Sequence, residues 1–135
     1  MGTVEAKKGV IPLKDLKMLV VEDNKFNQLL ATKLLNSIGV EPQIASDGIE
    51  AVDKVKTQNF DLILMDILMP NMDGIEATKA IRAMNDIEQP KIIAVTATDY
   101  DEYRQNCNVA GMNDFLMKPM TRASLEEKLQ MICTT

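Results

Sequence analysis

Five short apolar runs separated by longer stretches of helical period constrain this chain more than any other feature. They are "KMLVVE" (17 to 22), "PQIAS" (42 to 46), "DLILMD" (61 to 66), "KIIAVTA" (91 to 97) and "DFLMK" (114 to 118). The runs are leucine-rich or β-branched and show little polar alternation, as expected of strands covered on both faces. Strands that alternate with helices form a parallel α/β sheet with helices packed on its two sides. At 135 residues, 46% hydrophobic and 26% charged, the chain has the size and balance of one compact domain.

The connecting segments carry their own signals. After the first run, Phe26, Leu30, Leu34 and Ile38 recur at steps of four and the pattern stops at Gly39, which predicts a helix with this stripe turned to the sheet. Asp47 with Glu50, Asp73 with Glu76 and Asp99 with Glu102 repeat a carboxylate version of the capping box and mark three further helix starts. A last helix is expected from about Thr121, with Leu125, Leu129 and Ile132 inward. The helix after Asp99 has a thin stripe of Tyr100, Tyr103, Cys107 and Ala110 and should be the least firmly docked. Residues 1–14 fit no period of the sheet and read as a linker or expression leader, leaving 15–135 as the domain. The ten methionines, Met65, Met69, Met72 and Met117 among them, read as filling for the core and its loops.

Several function classes are disfavoured by composition. A formal charge of −5, with the one lysine cluster, Lys7, Lys8, Lys14 and Lys17, at the N-terminal end before residue 18, leaves no basic patch for nucleic acid. No apolar stretch approaches the roughly 20 residues of a membrane span. Cys107 and Cys133 lie in no metal or redox spacing and read as packing thiols of a reducing, cytoplasmic compartment. The chain has no histidine, so Ser-His triads and His-ligated metals are excluded.

The chemistry lies at the strand ends. In an open parallel sheet ligands bind beyond the carboxyl ends of the strands, where strand order reverses. Those ends carry Glu22 and Asp23 after strand one, Asp66 after strand three, Thr96 after strand four and Lys118 after strand five. With the order 2-1-3-4-5, strands one and three flank the switch point and three carboxylates meet in one crevice. Uncompensated, at least one would hold its proton well above the usual carboxylate value of roughly 4. A hard divalent ion removes that penalty, and Mg²⁺ suits one or two carboxylates shared with phosphate oxygens. Lys118 and the Thr96 hydroxyl then suit phosphoryl oxygens, and Asp66 is the nucleophile. Each residue alone has a plainer reading: Asp23 or Asn24 as a helix cap, Thr96 as the start of a connection, Lys118-Pro119 as a turn. Their joint placement on one edge favours phosphoryl transfer.

These residues, in "VVEDNKFNQ", "DLILMDILMPNMDG", "VTA" (95 to 97) and "DFLMKPM", make the chain resemble the receiver domains of two-component response regulators from about Lys17 to Ile132. Within that family it is most similar to receivers of hybrid sensor histidine kinases. The resemblance implies a flavodoxin-like 2-1-3-4-5 sheet and an Asp66 that accepts a phosphoryl group from phosphohistidine. It implies Mg²⁺ held by Glu22, Asp23, Asp66 and the backbone carbonyl of Leu68. It also implies Thr96 and Lys118 on the phosphoryl oxygens, Phe115 as a switch aromatic that follows Thr96, and a cis bond at Lys118-Pro119. The implied partners are a histidine kinase and a histidine phosphotransfer protein, and weak homodimerisation is compatible with it. The chain would be a phosphoacceptor module with, at most, autophosphatase activity, its parent a hybrid kinase that can be membrane-anchored.

Two positions depart from the common pattern. Glu22 replaces a more usual Asp, and its extra methylene favours contact with a metal-bound water over direct ligation. Leu68, two residues beyond the acceptor, cannot hydrogen-bond an attacking water, so self-dephosphorylation should be slow. An aspartyl-nucleophile, Mg²⁺-dependent phosphatase would need a second Asp where Leu68 stands. A flavodoxin-like cofactor binder would need a phosphate cradle where Glu22 and Asp23 repel phosphate. A docking-only pseudo-receiver would not need Asp66, Thr96 and Lys118 together.

Overall fold

The protein is described from a computed structural model covering residues 11–67, 72–97, 110–130 and 133–134. Strands β1 (Met18–Val21), β2 (Gln43–Ala45), β3 (Leu62–Asp66), β4 (Lys91–Thr96) and β5 (Asp114–Met117) form one sheet. All pairings are parallel and the order is β2-β1-β3-β4-β5, the doubly wound arrangement that the alternating pattern predicts. The register sets Val21 beside Met65, Asp66 beside Val95 and Thr96 beside Met117, so the three central strands end level with one another.

The helices among the described residues are α1 (Lys25–Ile38), α2 (Gly48–Thr57), α3 (Gly74–Arg82) and α4 (Arg122–Leu129). Asn24, Asp47, Asp73 and Thr121 cap them, each side chain accepting from the backbone N–H three residues on. The expected starts of α2, α3 and α4 therefore stand. Of the two residues weighed as a cap for α1 it is Asn24 that serves, which leaves Asp23 for the crevice. Gly39 ends α1 in the left-handed conformation, φ 108°. The expected helix after Asp99 lies outside the described residues up to Ala110, as do Met69 and Ile132.

The sheet is covered on both faces. Met18, Val20, Leu62, Leu64, Ile93, Val95 and Leu116 point to one side, against Ala31 and Leu35 of α1 and Leu125 and Leu129 of α4. Leu19, Val21, Ile63, Met65, Ile92 and Ala94 point to the other, against Ala51 and Val55 of α2 and Ala77 and Ile81 of α3. Every residue of β3 is buried, which explains its unbroken apolar run. Each such aliphatic side chain contributes about 1.5–3 kcal/mol on burial. Met18, Met65 and Met112 fill the core as expected, whereas Met117, on the edge strand, is 45% exposed.

The facing of α1 corrects the sequence-based expectation. Its buried residues are Gln28, Ala31 and Leu35, with Leu34 and Ile38 partly buried against the core. Phe26 is 72% exposed and Leu30 36%. At 3.6 residues per turn, a step of four over-rotates by roughly 40°, so the stripe winds around the helix from solvent at Phe26 to the sheet at Ile38.

Before the sheet, Ile11–Pro12 pairs in parallel with Cys133–Thr134, and a single 3₁₀ turn, Leu13–Asp15, leads to β1. Leu13 packs on the α1/α4 core beside Gly39. At the same end of the molecule the Arg82 guanidinium donates to the carbonyls of Pro90 and Gly111 and to Asn113 Oδ1, at 2.7, 2.9 and 2.8 Å. It ties α3 to the starts of β4 and β5.

Candidate functional site

The chain leaves the sheet at the carboxyl ends of β1 and β3 through Glu22-Asp23 and Asp66. The carboxylates of Glu22, Asp23 and Asp66 each place an oxygen within 4.8 Å of the others. Glu22 and Asp66 are buried, 4% and 6% exposed, whereas Asp23 faces solvent, so the cluster is an open-sided crevice. Thr96 is buried at the end of β4. The Lys118 N–H donates to the Thr96 carbonyl at 2.7 Å, which fixes the lysine backbone against that strand end. Lys118 Nζ then reaches 3.0 Å from Glu22 Oε1 and 3.1 Å from Asp66 Oδ2. The expected cis bond at Lys118-Pro119 is present.

The structure thus brings Glu22, Asp23, Asp66 and Lys118 together, with Thr96 adjoining. Phe115 lies on the α2/α3 side of β5, partly buried against that core. Leu68 lies outside the described residues.

Ile67 and Met72, on the two sides of the segment that follows Asp66, are each held by a glycine N–H. Gly74 N–H donates to the Ile67 carbonyl at 3.0 Å and Gly48 N–H, in the first turn of α2, to the Met72 carbonyl at 3.1 Å. A Cβ on Gly74 would overlap the Asp66 carbonyl oxygen, and one on Gly48 would lie 2.5 Å from that of Met72. Only glycine lets both helices approach this closely.

Electrostatics follow from the packing. Burial pushes the Asp66 carboxyl up from 3.8 to about 6; the Lys118 charge pulls it down, and Glu22 and Asp23 push it further up. Asp66 thus holds its proton more tightly than an ordinary carboxyl, chiefly because it is buried and only secondarily because Glu22 and Asp23 converge on it. Burial works against the Lys118 ammonium, but its hydrogen bond to Glu22 and the charge of Asp66 prevail and raise its pKa. The donor set is oxygen-only, anionic and open on the Asp23 side. It fits a hard divalent cation such as Mg²⁺, with the solvent-facing Asp23 and the buried Asp66 as the residues that could ligate it. Glu22 is already engaged, one oxygen by Lys118 and the other by Asn24 N–H at 3.1 Å.

One polar residue beneath the crevice escapes the sequence reading. Gln28, on the inner face of α1, is 9% exposed and donates from Nε2 to the Glu22 carbonyl at 2.6 Å. The available signal was faint: Gln28 follows another polar residue, Asn27, and such a pair is ordinarily assigned to the solvent face.

Comparison with known proteins agrees with this geometry. The response regulator receiver domain family matches residues 18–130, and the chain belongs to that family. It is 39% identical over 145 residues to the osmosensing histidine protein kinase SLN1 of Saccharomyces cerevisiae, an alignment covering 98% of this chain but 12% of that protein. Among solved structures it resembles the receiver domain of sensor histidine kinase PA1611 from Pseudomonas aeruginosa, with magnesium in its active site cleft. That match has a TM-score of 0.78 and 42% identity, and covers 87% of this chain and 96% of the other. It also resembles a Saccharomyces cerevisiae co-crystal of the histidine phosphotransfer protein Ypd1 with the receiver domain of Ssk1, with a TM-score of 0.80 and 30% identity over 91% and 90% of the two chains. Among the described residues no helix is long and apolar enough to cross a membrane.

Proposed function

We propose that this receiver domain takes a phosphoryl group onto Asp66 from a phosphohistidine of a histidine kinase or histidine phosphotransfer protein, and passes it on within a phosphorelay. The observation that carries the reading is the reach of Lys118 across the crevice, 3.1 Å from Asp66 and 3.0 Å from Glu22, beside an Asp23 left open to solvent.

In the proposed reaction an ionised Asp66 oxygen attacks phosphorus in line with the P–N bond. The P–O bond forms as P–N breaks, and the imidazole nitrogen leaves with the electron pair. Lys118 turns from the two carboxylates to the incoming phosphoryl oxygens, and the Thr96 hydroxyl donates to another. Mg²⁺, held by Asp23 and Asp66 with the Leu68 carbonyl, would supply positive charge against the transferring group. Glu22 contributes through its pairing with Lys118 and, at the longer reach of its side chain, would meet the ion's hydration rather than ligate it. Inward movement of Thr96 would make room for Phe115, a two-position element through which phosphorylation biases partner binding.

The partner side is supported by the surface around the crevice. Phe26, Leu29 and Leu30 are exposed on α1 next to Asp23, and Leu30 continues into a cavity of about 280 Å³ bounded by Lys118, Pro119 and Met120. An apolar rim around a charged centre suits a partner that presents a phosphohistidine from an apolar surface. Residues 15–135 form the module in this reading. Residues 1–14 lead into it, and the parent is a hybrid kinase acting from the cytoplasmic side. The domain is a stoichiometric acceptor, and any turnover is loss of its own phosphoryl group.

Intact-mass analysis after incubation with acetyl phosphate and Mg²⁺ tests the assignment. Wild type should gain one phosphoryl group and Asp66→Asn none, and equal labelling of the two proteins would refute it.

A further inference from the structure

We infer that Gln28 is a positioning residue for the acidic crevice: its buried carboxamide fixes the peptide that joins Glu22 to Asp23, and so sets how the two carboxylates leave the end of β1. The inference rests on the metal and phosphoacceptor reading of that crevice and adds a residue outside it.

Gln28 occupies a place where α1 would gain more from an apolar side chain. It shares the buried face with Ala31 and Leu35, yet it is polar. A carboxamide is retained at such a position when it satisfies a group that nothing else can reach. That group is the Glu22 carbonyl. The Glu22 N–H is still in the sheet, donating to the Ala45 carbonyl at 3.0 Å. One bond later the chain turns away into the Asn24 cap, and among the described residues it is Gln28 Nε2, at 2.6 Å, that donates to the Glu22 carbonyl. The same nitrogen lies 3.4 Å from Ser46 Oγ, just past the end of β2 and two residues before the Gly48 N–H that donates to the Met72 carbonyl.

The carbonyl of residue 22 belongs to the planar unit that contains the N–H of residue 23. With the Glu22 N–H held in the sheet, fixing that plane fixes the Glu22 ψ angle and so the point from which Asp23 leaves, and the Asn24 cap holds the chain on the far side of Asp23. Between these anchors Glu22 meets Lys118 and Asp23 faces the open side of the crevice. A neutral donor suits the position, since a lysine or arginine would bring a cation to compete with the ion, and a leucine would leave the carbonyl without a donor. Groups behind metal ligands typically change metal affinity by 10- to 100-fold when removed.

The test compares Gln28→Met, which keeps length and volume but removes the donor, with Ala31→Gly, which loosens the same helix one turn on without touching Glu22. Mg²⁺ affinity is measured by calorimetry, and amide exchange at residues 22 to 24 is followed in the metal-free proteins. Gln28→Met should bind Mg²⁺ at least tenfold more weakly and exchange faster at Glu22 and Asn24, and Ala31→Gly should keep wild-type affinity within about twofold. Wild-type affinity in Gln28→Met, or an equal loss in both variants, would overturn the inference. If Gln28→Met does not fold, Gln28→Glu decides: its added negative charge would by itself tighten Mg²⁺ binding, whereas loss of positioning weakens it, so tighter binding overturns the inference. A wild-type domain that neither binds Mg²⁺ nor is phosphorylated would instead refute the underlying reading, and the exchange data would still report on Gln28.

Discussion

Asp66 is a carboxylate placed where a carboxylate is costly, and the consequence is measurable without any metal. Its folded pKa of about 6 lies above the ordinary 3.8. Between those values the folded chain binds a proton that the unfolded chain releases, so stability from this group is lost as pH rises through the window and stays lost above it. Asparagine removes that penalty. In chelator, Asp66→Asn should therefore be more stable than wild type by about 1–2 kcal/mol at pH 7, with the difference vanishing near pH 4. Thermal melts across this range check it, and a gap that fails to narrow on acidification would contradict it. Lys118 acts in the opposite direction on the same group: Lys118→Met should raise the Asp66 pKa further, readable by carboxyl NMR titration. With Asp66 as the proposed phosphoacceptor, the apolar Leu68 two residues on brings no side-chain group that could hydrogen-bond an attacking water. The aspartyl phosphate should persist for minutes or longer, and a half-life of seconds in a decay assay would count against that account.

At the level of elements, α1 separates two kinds of apolar residue that look alike in the sequence. Leu35 is fully buried and Phe26 largely exposed. Leu35→Ala should cost about 2–5 kcal/mol in denaturant unfolding, and Phe26→Ala within about 0.5 kcal/mol. If the partner surface is placed correctly, Phe26→Ala should nonetheless slow phosphoryl exchange with a phosphotransfer protein while leaving labelling by acetyl phosphate unchanged. Much of the fold was legible because its signals are local. Buried strands read as unbroken apolar runs, and Asp47 and Asp73, each with a Glu three residues on, mark the helix starts that follow them directly. The crevice was legible because a parallel sheet brings its strand ends together whatever lies between them. The facing of α1 was not, because Phe26, Leu30, Leu34 and Ile38 share a spacing but not a side of the helix. Gln28 was not, because its partner is a backbone carbonyl, which no sequence pattern displays.

For the molecule as a whole, binding of a divalent ion and stability are linked. Mg²⁺ at a hundred times its dissociation constant should stabilise the fold by about 2.7 kcal/mol at pH 7. The gain should shrink below pH 6, as protons compete for Asp66, and calorimetric melts with and without the ion test both statements. The sheet also separates the molecule into two ends. The acids and Lys118 occupy the carboxyl edge of the strands. Ile11–Pro12 and Cys133–Thr134 lie side by side, with Leu13 against Gly39 where α1 finishes at the other edge. Among the described residues the first and last strands therefore share one pole, like the two wires of a plug, opposite the acids and Lys118. Such a unit can be spliced between neighbours, or carry a fluorescent protein on each side, with its reactive pole still accessible to a partner.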